Sequence, residues 1–326
     1  MITPNEVDFP SDPSLQQAFT GQVMRIATGF AASQILFHSD ALRLFDLLKD
    51  GPRSLDLIAK TCSIQPRTLE RLLIGCCSLG LMKRIGDTFD LPEVSRNCLV
   101  RSEPSYVGGL FSFFKRSLYP LWQHLETALR EESPQWEKVP EIGQEGDFKT
   151  EYRDEQALRD FQDAMFQLSY STGLAASDSL DFSRFDTAVD VGGGTGGFLI
   201  ALCKRNPSLC GSILDLPEVE SAAIARIATH GLNDRISFFS GNFFHDPFPA
   251  ADLYILGDIL HDWGMEAGPK LLEKAYAALP PHGAVCIAEN LFNDNRDGPT
   301  LSAVIDLTML LATHGQQHSP AELRNG

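Results

Sequence analysis

The sequence predicts an α/β protein whose C-terminal half is a parallel sheet covered by helices, preceded by a mostly helical domain closed by a hairpin. Three observations carry that prediction. After Asp181, apolar runs of strand length alternate with helical stretches, the pattern of right-handed strand–helix–strand crossovers. The first of those runs ends in Gly192-Gly193-Gly194-Thr195-Gly196-Gly197, a glycine-rich strand-to-helix turn. Before residue 100, a helix, a turn, a second helix and two short apolar pieces around Gly86-Asp87 follow one another in a winged-helix order.

The elements follow in order. Apolar residues recur at helical spacing from Phe19 through Val23, Ile26 and Phe30 to Leu48, which predicts helix over 14–49, stopped by Gly51-Pro52. Ser54 is placed to cap the next short helix. A second helix spans 67–79, with Gly80 as its C-terminal cap. Residues 82–85 and 88–91 are strand pieces that Gly86-Asp87 turns into a hairpin. Residues 106–180 are helical again, interrupted by a loop over 132–147 rich in charge, proline and glycine. The aromatic residues there read as core at helical spacing, with a minority lining an apolar pocket. Beyond them come strands over 187–191, 212–215, 236–239, 252–256 and 283–289, and helices over 198–205, 218–229, 267–279 and 301–313. The expected division is therefore 1–105, 106–180 and 181–326.

A net charge of -16 repels phosphate backbones, and the helix over 67–79 carries few side chains able to read bases. No nucleic-acid partner is expected. No run of 18 uncharged apolar residues is present, and the polar, acidic N-terminus lacks the features of a secretory signal, so no membrane association is expected. The 7 cysteines are odd in number and show no CxxC spacing, which reads as reduced thiols in a cytoplasmic protein. The histidines outside the site show no metal-like spacing, so no metal is expected.

Gly192, Gly194 and Gly196 bring the backbone close to a ligand at the turn. Asp215 ends the next strand, where it can accept hydrogen bonds from both hydroxyls of a ribose. This pair fits a nicotinamide dinucleotide as well as S-adenosylmethionine. Asp190 at the end of the first strand, a turn without a base for a pyrophosphate, and the acid Glu289 ending the last strand favour S-adenosylmethionine. Asn242 and Phe243 follow the third strand, where an adenine would be bonded and stacked. His261 lies in Ile259-Leu260-His261-Asp262-Trp263, just past the fourth strand, at the edge where such sheets bind ligands. A reference pKa near 6.5 suits it as a base at neutral pH. Glu289, ending the neighbouring strand, would hold the imidazole in the right tautomer.

On these landmarks, VDVGGGTGG, DLPEV from Asp215, GNFF over 241–244, DLYILGDILHDW over 252–263 and LPPHGAVCIAEN over 279–290, the chain resembles the small-molecule S-adenosylmethionine-dependent O-methyltransferases. The run FFHDPFPAADLYIL is closest to their acetylserotonin type. The resemblance implies a Rossmann-like class I methyltransferase domain, preceded by a winged-helix dimerisation domain and by helices that roof a pocket. It implies a homodimer and a small hydroxylated, aromatic acceptor. By the same carry-over, Gly192 and Gly194 pass the methionine portion, Asp215 binds ribose, and Asn242 and Phe243 meet adenine. Ser169 and Tyr152 contact the cofactor. His261 is the base, steered by Glu289. Asp262 lies at the acceptor, and Phe161, Met165, Asp306 and Met309 line its pocket.

Four departures stand against that resemblance. Asn242 replaces an aspartate, and Gly257 and Asp258 replace the family's Lys or Arg, which puts an acid toward the cofactor. Gln317 replaces a second glutamate behind the histidine. Thr308 and Ala312 lack the amides that hold the acceptor in the acetylserotonin type. The family also continues past Gly326 with a helix and two antiparallel strands, so the sheet is expected to be C-terminally shortened, with 283–289 as an apolar edge. These departures motivate an alternative reading, a catalytically impaired homologue that binds or regulates.

Overall fold

The computed structural model describes residues 13–103, 105–139, 155–263 and 267–325. The chain divides into two compact units, 1–111 and 112–326.

In the first unit the predicted helix over 14–49 is three helices: α1 (Pro13–Ala27), α2 (Gly29–Ala41) and α3 (Leu44–Leu47). The chain breaks at Thr28 and again at Arg43, whose φ of 54° is left-handed. The apolar period runs across both breaks, which is why the sequence pattern conceals them. Strand β1 (Arg53–Ser54) leads into α4 (Leu55–Cys62), where the Ser54 hydroxyl accepts the Leu57 N–H at 3.4 Å as the predicted cap. Helix α5 (Pro66–Ser78) ends as the glycine predicts. The Gly80 N–H donates to the Cys77 carbonyl and the Leu81 N–H to the Cys76 carbonyl, satisfying two terminal acceptors. Strands β2 (Lys83–Ile85) and β3 (Thr88–Asp90) form the expected antiparallel hairpin. The two-residue β1 pairs with the other side of β3, and it is too short to show a period in sequence. Helix α6 (Glu93–Leu99) follows.

Short helices α7 (Gly109–Phe113), α8 (Tyr119–Leu121) and α9 (Leu125–Glu131) precede the long α10 (Glu155–Ser179). The sheet of the second unit contains β4 (Thr187–Val191), β5 (Cys210–Asp215), β6 (Ile236–Ser240), β7 (Leu253–Gly257) and β8 (Ala284–Ala288). Its order is β6-β5-β4-β7-β8 and every pairing is parallel. Helices α11 (Gly197–Arg205), α12 (Glu220–Thr229), α13 (Ala267–Ala278) and α14 (Thr300–Ala312) fall where the alternation predicts them, and α15 (Pro320–Asn325) ends the described chain.

Strands β4 and β7 occupy the middle of the sheet. Their near-continuous apolar sequence fits burial on both faces: Ala188, Val189, Val191 and 253–256 are all buried. Burying each valine, leucine and isoleucine among them contributes about 1.5–3 kcal/mol, which fixes the carboxyl ends of these strands as a rigid rim. Strand β8 forms one edge of the sheet, and all of it but Ile287 is half-buried. All 7 cysteines are free, and only Cys76 and Cys203 are fully buried. No described helix is long and apolar enough to cross a membrane.

Candidate active site

At the end of β4 the glycine turn folds back with φ of 68°, 55° and 85° at Gly192, Gly194 and Gly196, a region closed to most side chains. A Cβ at Gly193 would stand 2.5 Å from the Asp190 Cγ, so the turn wraps directly onto that buried carboxyl. Burial pushes Asp190 up to about 7, against the Leu199 N–H that favours its charge, and the Asp215 carboxylate adds to the rise. Asp215 ends β5 beside the turn. Its Oδ2 accepts the Gly194 N–H at 2.7 Å and its Oδ1 accepts the Leu216 N–H at 2.7 Å. Burial raises this carboxyl as well, and the same two N–H groups hold it back. Two of its lone-pair positions remain for a diol, so the acid stands pre-aligned rather than free.

After β6 the chain forms a tight loop. The Asn242 side-chain oxygen accepts the Phe244 N–H at 2.9 Å, and the Asn242 N–H donates to Asp246 Oδ2 at 2.7 Å. One of the two lone pairs of the amide oxygen is thus used within the loop. The amide also carries an NH₂ donor, where an aspartate would have only acceptors. Phe243 lies against Gly192, where a Cβ would come 3.2 Å from its ring, and meets Trp263 edge-on at 5.9 Å. Lys274 of α13 clamps the loop from below. Its Nζ donates to the Phe243 and Asp246 carbonyls, both at 2.6 Å, and it lies over the Phe248 ring. Sequence reading missed Lys274, because nothing local connects it to a loop 31 residues earlier.

The segment after β7 carries the acids and the histidine. Asp258 sits at φ 52°, its N–H bonded to the Ala288 carbonyl at 2.9 Å. Glu289 is buried just past β8. Its Oε1 accepts the Ile259 and Leu260 N–H groups at 3.1 and 2.8 Å, and its Oε2 meets His261 Nδ1 at 2.5 Å. It therefore shapes the whole turn as well as steering the imidazole. His261 is 7% exposed, and its Nε2 stands 3.6 Å from Asp262 Oδ1. Burial works against the imidazolium, but the carboxylates of Asp262, Glu289 and Asp258 outweigh it and raise His261 to about 9. Burial in turn lifts Asp258 and Asp262 to about 6, with the imidazolium opposing the rise in both. The reference value near 6.5 expected for a base at neutral pH is thus corrected: three acids converging on one ring hold its proton.

The match to known proteins is extensive. A profile of the O-methyltransferase domain matches residues 122–325, and one of the O-methyltransferase dimerisation domain matches 24–101. The chain belongs to the O-methyltransferase family. That family draws its methyl group from S-adenosylmethionine. This O-methyltransferase is 32% identical to the tetracenomycin polyketide synthesis 8-O-methyl transferase TcmO of Streptomyces glaucescens, over 93% of its own chain and 88% of the relative. It is 34% identical to the 3-hydroxy-5-methyl-1-naphthoate 3-O-methyltransferase of Streptomyces sahachiroi, over 91% and 85%. Among solved structures, human N-acetylserotonin methyltransferase in complex with SAM superposes with a TM-score of 0.86 at 30% identity, covering 97% of this chain and 91% of that one.

The remaining expected site residues of this O-methyltransferase scatter over three places. Ser169 lies on α10 against the first turn of α11, where a Cβ at Gly197 would be 2.2 Å from its Oγ. Tyr152 lies outside the described residues. On α10, Phe161 meets Phe113 edge-on at 5.4 Å and Met165 is half-buried. On α14, Asp306 Oδ1 accepts the Gln317 N–H at 2.8 Å, and the Met309 sulfur lies 3.8 Å from the Thr313 hydroxyl. Asp306 is therefore first a structural tie. It holds the segment after α14, in which Gly315 packs so closely on the His261 and Asp262 backbone that no side chain fits. Gln317 is fully buried, and neither atom of its amide has a hydrogen-bond partner among the described residues.

Proposed function

We propose that this O-methyltransferase moves the methyl group of S-adenosylmethionine to a phenolic hydroxyl of a small aromatic acceptor, with His261 as general base. The observation that carries the reading is the His261–Glu289 pair at the carboxyl rim of the sheet. With Nδ1 committed to Glu289, Nε2 is the nitrogen left for the acceptor. Gly192, Gly194, Asp215, Asn242, Phe243 and Ser169 would hold the donor, a role supported by the glycine turn beside Asp215. The raised value of His261 supports an aromatic acceptor. A phenol ionises near 10, about one unit above an imidazole at about 9, so proton transfer costs only ~1.4 kcal/mol. An alcohol as weak as water, near 15.7, lies about seven units above and costs ~9 kcal/mol. Both bacterial relatives are named for O-methylation at a numbered position, one of them on a hydroxynaphthoate. The chemistry is in-line displacement at the sulfonium methyl, so most of the acceleration comes from holding oxygen and methyl in line.

The division into 1–105, 106–180 and 181–326 assigns dimerisation to a winged-helix module, the acceptor pocket to the middle helices and the donor to the sheet. The exposed apolar side chains of α1, Phe19, Val23, Met24 and Ile26, support a homodimer.

Calorimetric titration with S-adenosylmethionine, with NAD as the control, tests the donor. Binding of S-adenosylmethionine alone, followed by methylation of at least one compound in a panel of phenols, is expected. If neither compound binds, the impaired, regulatory reading takes over. A pH profile tests the base. The folded value of His261 lies above the free value of 6.5, so its ion pairs stabilise the protein fully below 6.5, and that contribution is lost as pH rises through about 9. The neutral base appears in the same window. The transfer rate is expected to climb about tenfold per pH unit from neutrality and to level near 9. A rate independent of pH between 6 and 9 would exclude His261 as the base.

A further inference from the structure

Asp258, His261 and Glu289 bring a carboxylate oxygen, a ring nitrogen and a second carboxylate oxygen within 4.8 Å of one another. On one ion with bonds of about 2.2 Å, a pair of ligand atoms on opposite sides stands roughly 4.4 Å apart and an adjacent pair roughly 3.1 Å, so side-chain rotations of about 1–2 Å bring the three onto a shared ion.

Asp258 is the decisive member. Its left-handed backbone, fixed by the Ala288 carbonyl, drives a largely buried carboxylate toward the imidazole. That carboxylate accepts no hydrogen bond from any described residue. A largely buried acid that accepts no hydrogen bond is unfavourable even beside an imidazolium, and a coordinated cation is one of the few groups that offsets the cost. Among the described residues, neither Asp258, Asp262 nor Glu289 is ion-paired with a lysine or arginine. Three acids therefore face a single imidazole. Glu289 is already aligned by the Ile259 and Leu260 N–H groups, as a carboxylate ligand is when its outer contacts fix its orientation.

We propose that Asp258, His261 and Glu289 form a site for a divalent cation of the manganese class. An oxygen-rich set with one imidazole and no thiolate suits such an ion. Held there, the ion takes a lone pair of the imidazole, so it opposes the proton transfer assigned to His261 rather than assisting it. The inhibition rests on the proposed role of His261; the binding does not.

The test is a titration of the full chain with Mn²⁺ alone, following the loss of the free-ion paramagnetic resonance signal. Manganese avoids the free thiols that a softer ion would occupy. One bound ion per chain is expected, with affinity lowered tenfold or more in both Asp258→Asn and His261→Ala. Melting curves confirm that each variant is folded, and either variant alone suffices if the other is not. No protein-bound Mn²⁺ at millimolar concentration, or an affinity unchanged by both substitutions, overturns the site. Where the wild type methylates a phenol, Mn²⁺ is expected to inhibit over the concentration range in which it binds, reversibly with EDTA. Binding without inhibition overturns the claim that the ion takes the imidazole. A chain that methylates nothing still has its site decided by the resonance titration.

Discussion

Alanine at position 261 is expected to lower the methyl-transfer rate by about 10²–10⁴-fold while leaving S-adenosylmethionine affinity little changed. The range reflects the loss of proton transfer alone, since the acceptor and the sulfonium methyl are still held in line by the rest of the site. The variant also leaves Glu289 Oε2 buried without its partner, so some stability goes with it. Glu289 Oε1 retains the Ile259 and Leu260 N–H groups, which should keep the turn formed. The measurement is single-turnover transfer to a phenol at pH 7 and at pH 9. The base assignment predicts that the gap between wild type and variant is wide at pH 7 and starts to narrow near pH 9, where the wild-type rate levels while a phenol ionising near 10 still gains phenolate that needs no base. A variant that transfers at the wild-type rate at both values would leave His261 a packing residue.

Gly197→Ala is expected to have a large effect on stability. Helices α10 and α11 approach so closely that a Cβ at 197 would lie 2.2 Å from Ser169 Oγ, 2.5 Å from the Phe166 carbonyl and 2.8 Å from the Tyr170 nitrogen. The serine hydroxyl can rotate away; the two backbone atoms cannot. The opposite side of the contact is equally tight, since a Cβ at Gly173 would stand 2.8 Å from the Phe198 carbonyl. Overpacking of this kind costs about 1–3 kcal/mol, and sometimes more. For a unit of this size that is a fall of roughly 2–12 °C in melting temperature. Because α11 begins at the glycine turn, the displacement also moves the backbone proposed to face the donor, and weaker S-adenosylmethionine binding should accompany the loss. Gly194→Ala is the control. A Cβ there meets nothing within 4 Å, so only the strain of its φ of 55° remains, of order 1–3 kcal/mol and without any shift of α10. A Gly197→Ala protein that melts with the wild type would show that the helices can part at no cost.

Much of the site was legible because its signals are local. The glycine turn, the acid at the end of the next strand and the histidine past β7 each sit at a strand end, and strand ends follow from the apolar period and the turn residues. All five strands of the large sheet and the helices between them lie within a few residues of their expected places. Other features left no local trace. The breaks at Thr28 and Arg43 lie inside one continuous helical period. Strand β1 is two residues long and exists only through its pairing with β3. Lys274 is one lysine on a helix until α13 is laid under the loop after β6.

By itself the sequence determined the order of the elements, the rim of the sheet at which chemistry is placed, and the residues that stand there, because hydrophobic period and turn chemistry act over a few neighbouring residues. Only the tertiary structure decided the state of those residues. Whether His261 carries its proton depends on Asp258 and Asp262 beside it in the chain and on Glu289, 28 residues away just past the next strand. Charge interactions depend on distance and on the exclusion of water rather than on sequence separation. The same three acids in an open loop would leave the imidazole near its ordinary value; gathered in a buried turn, they raise it to about 9.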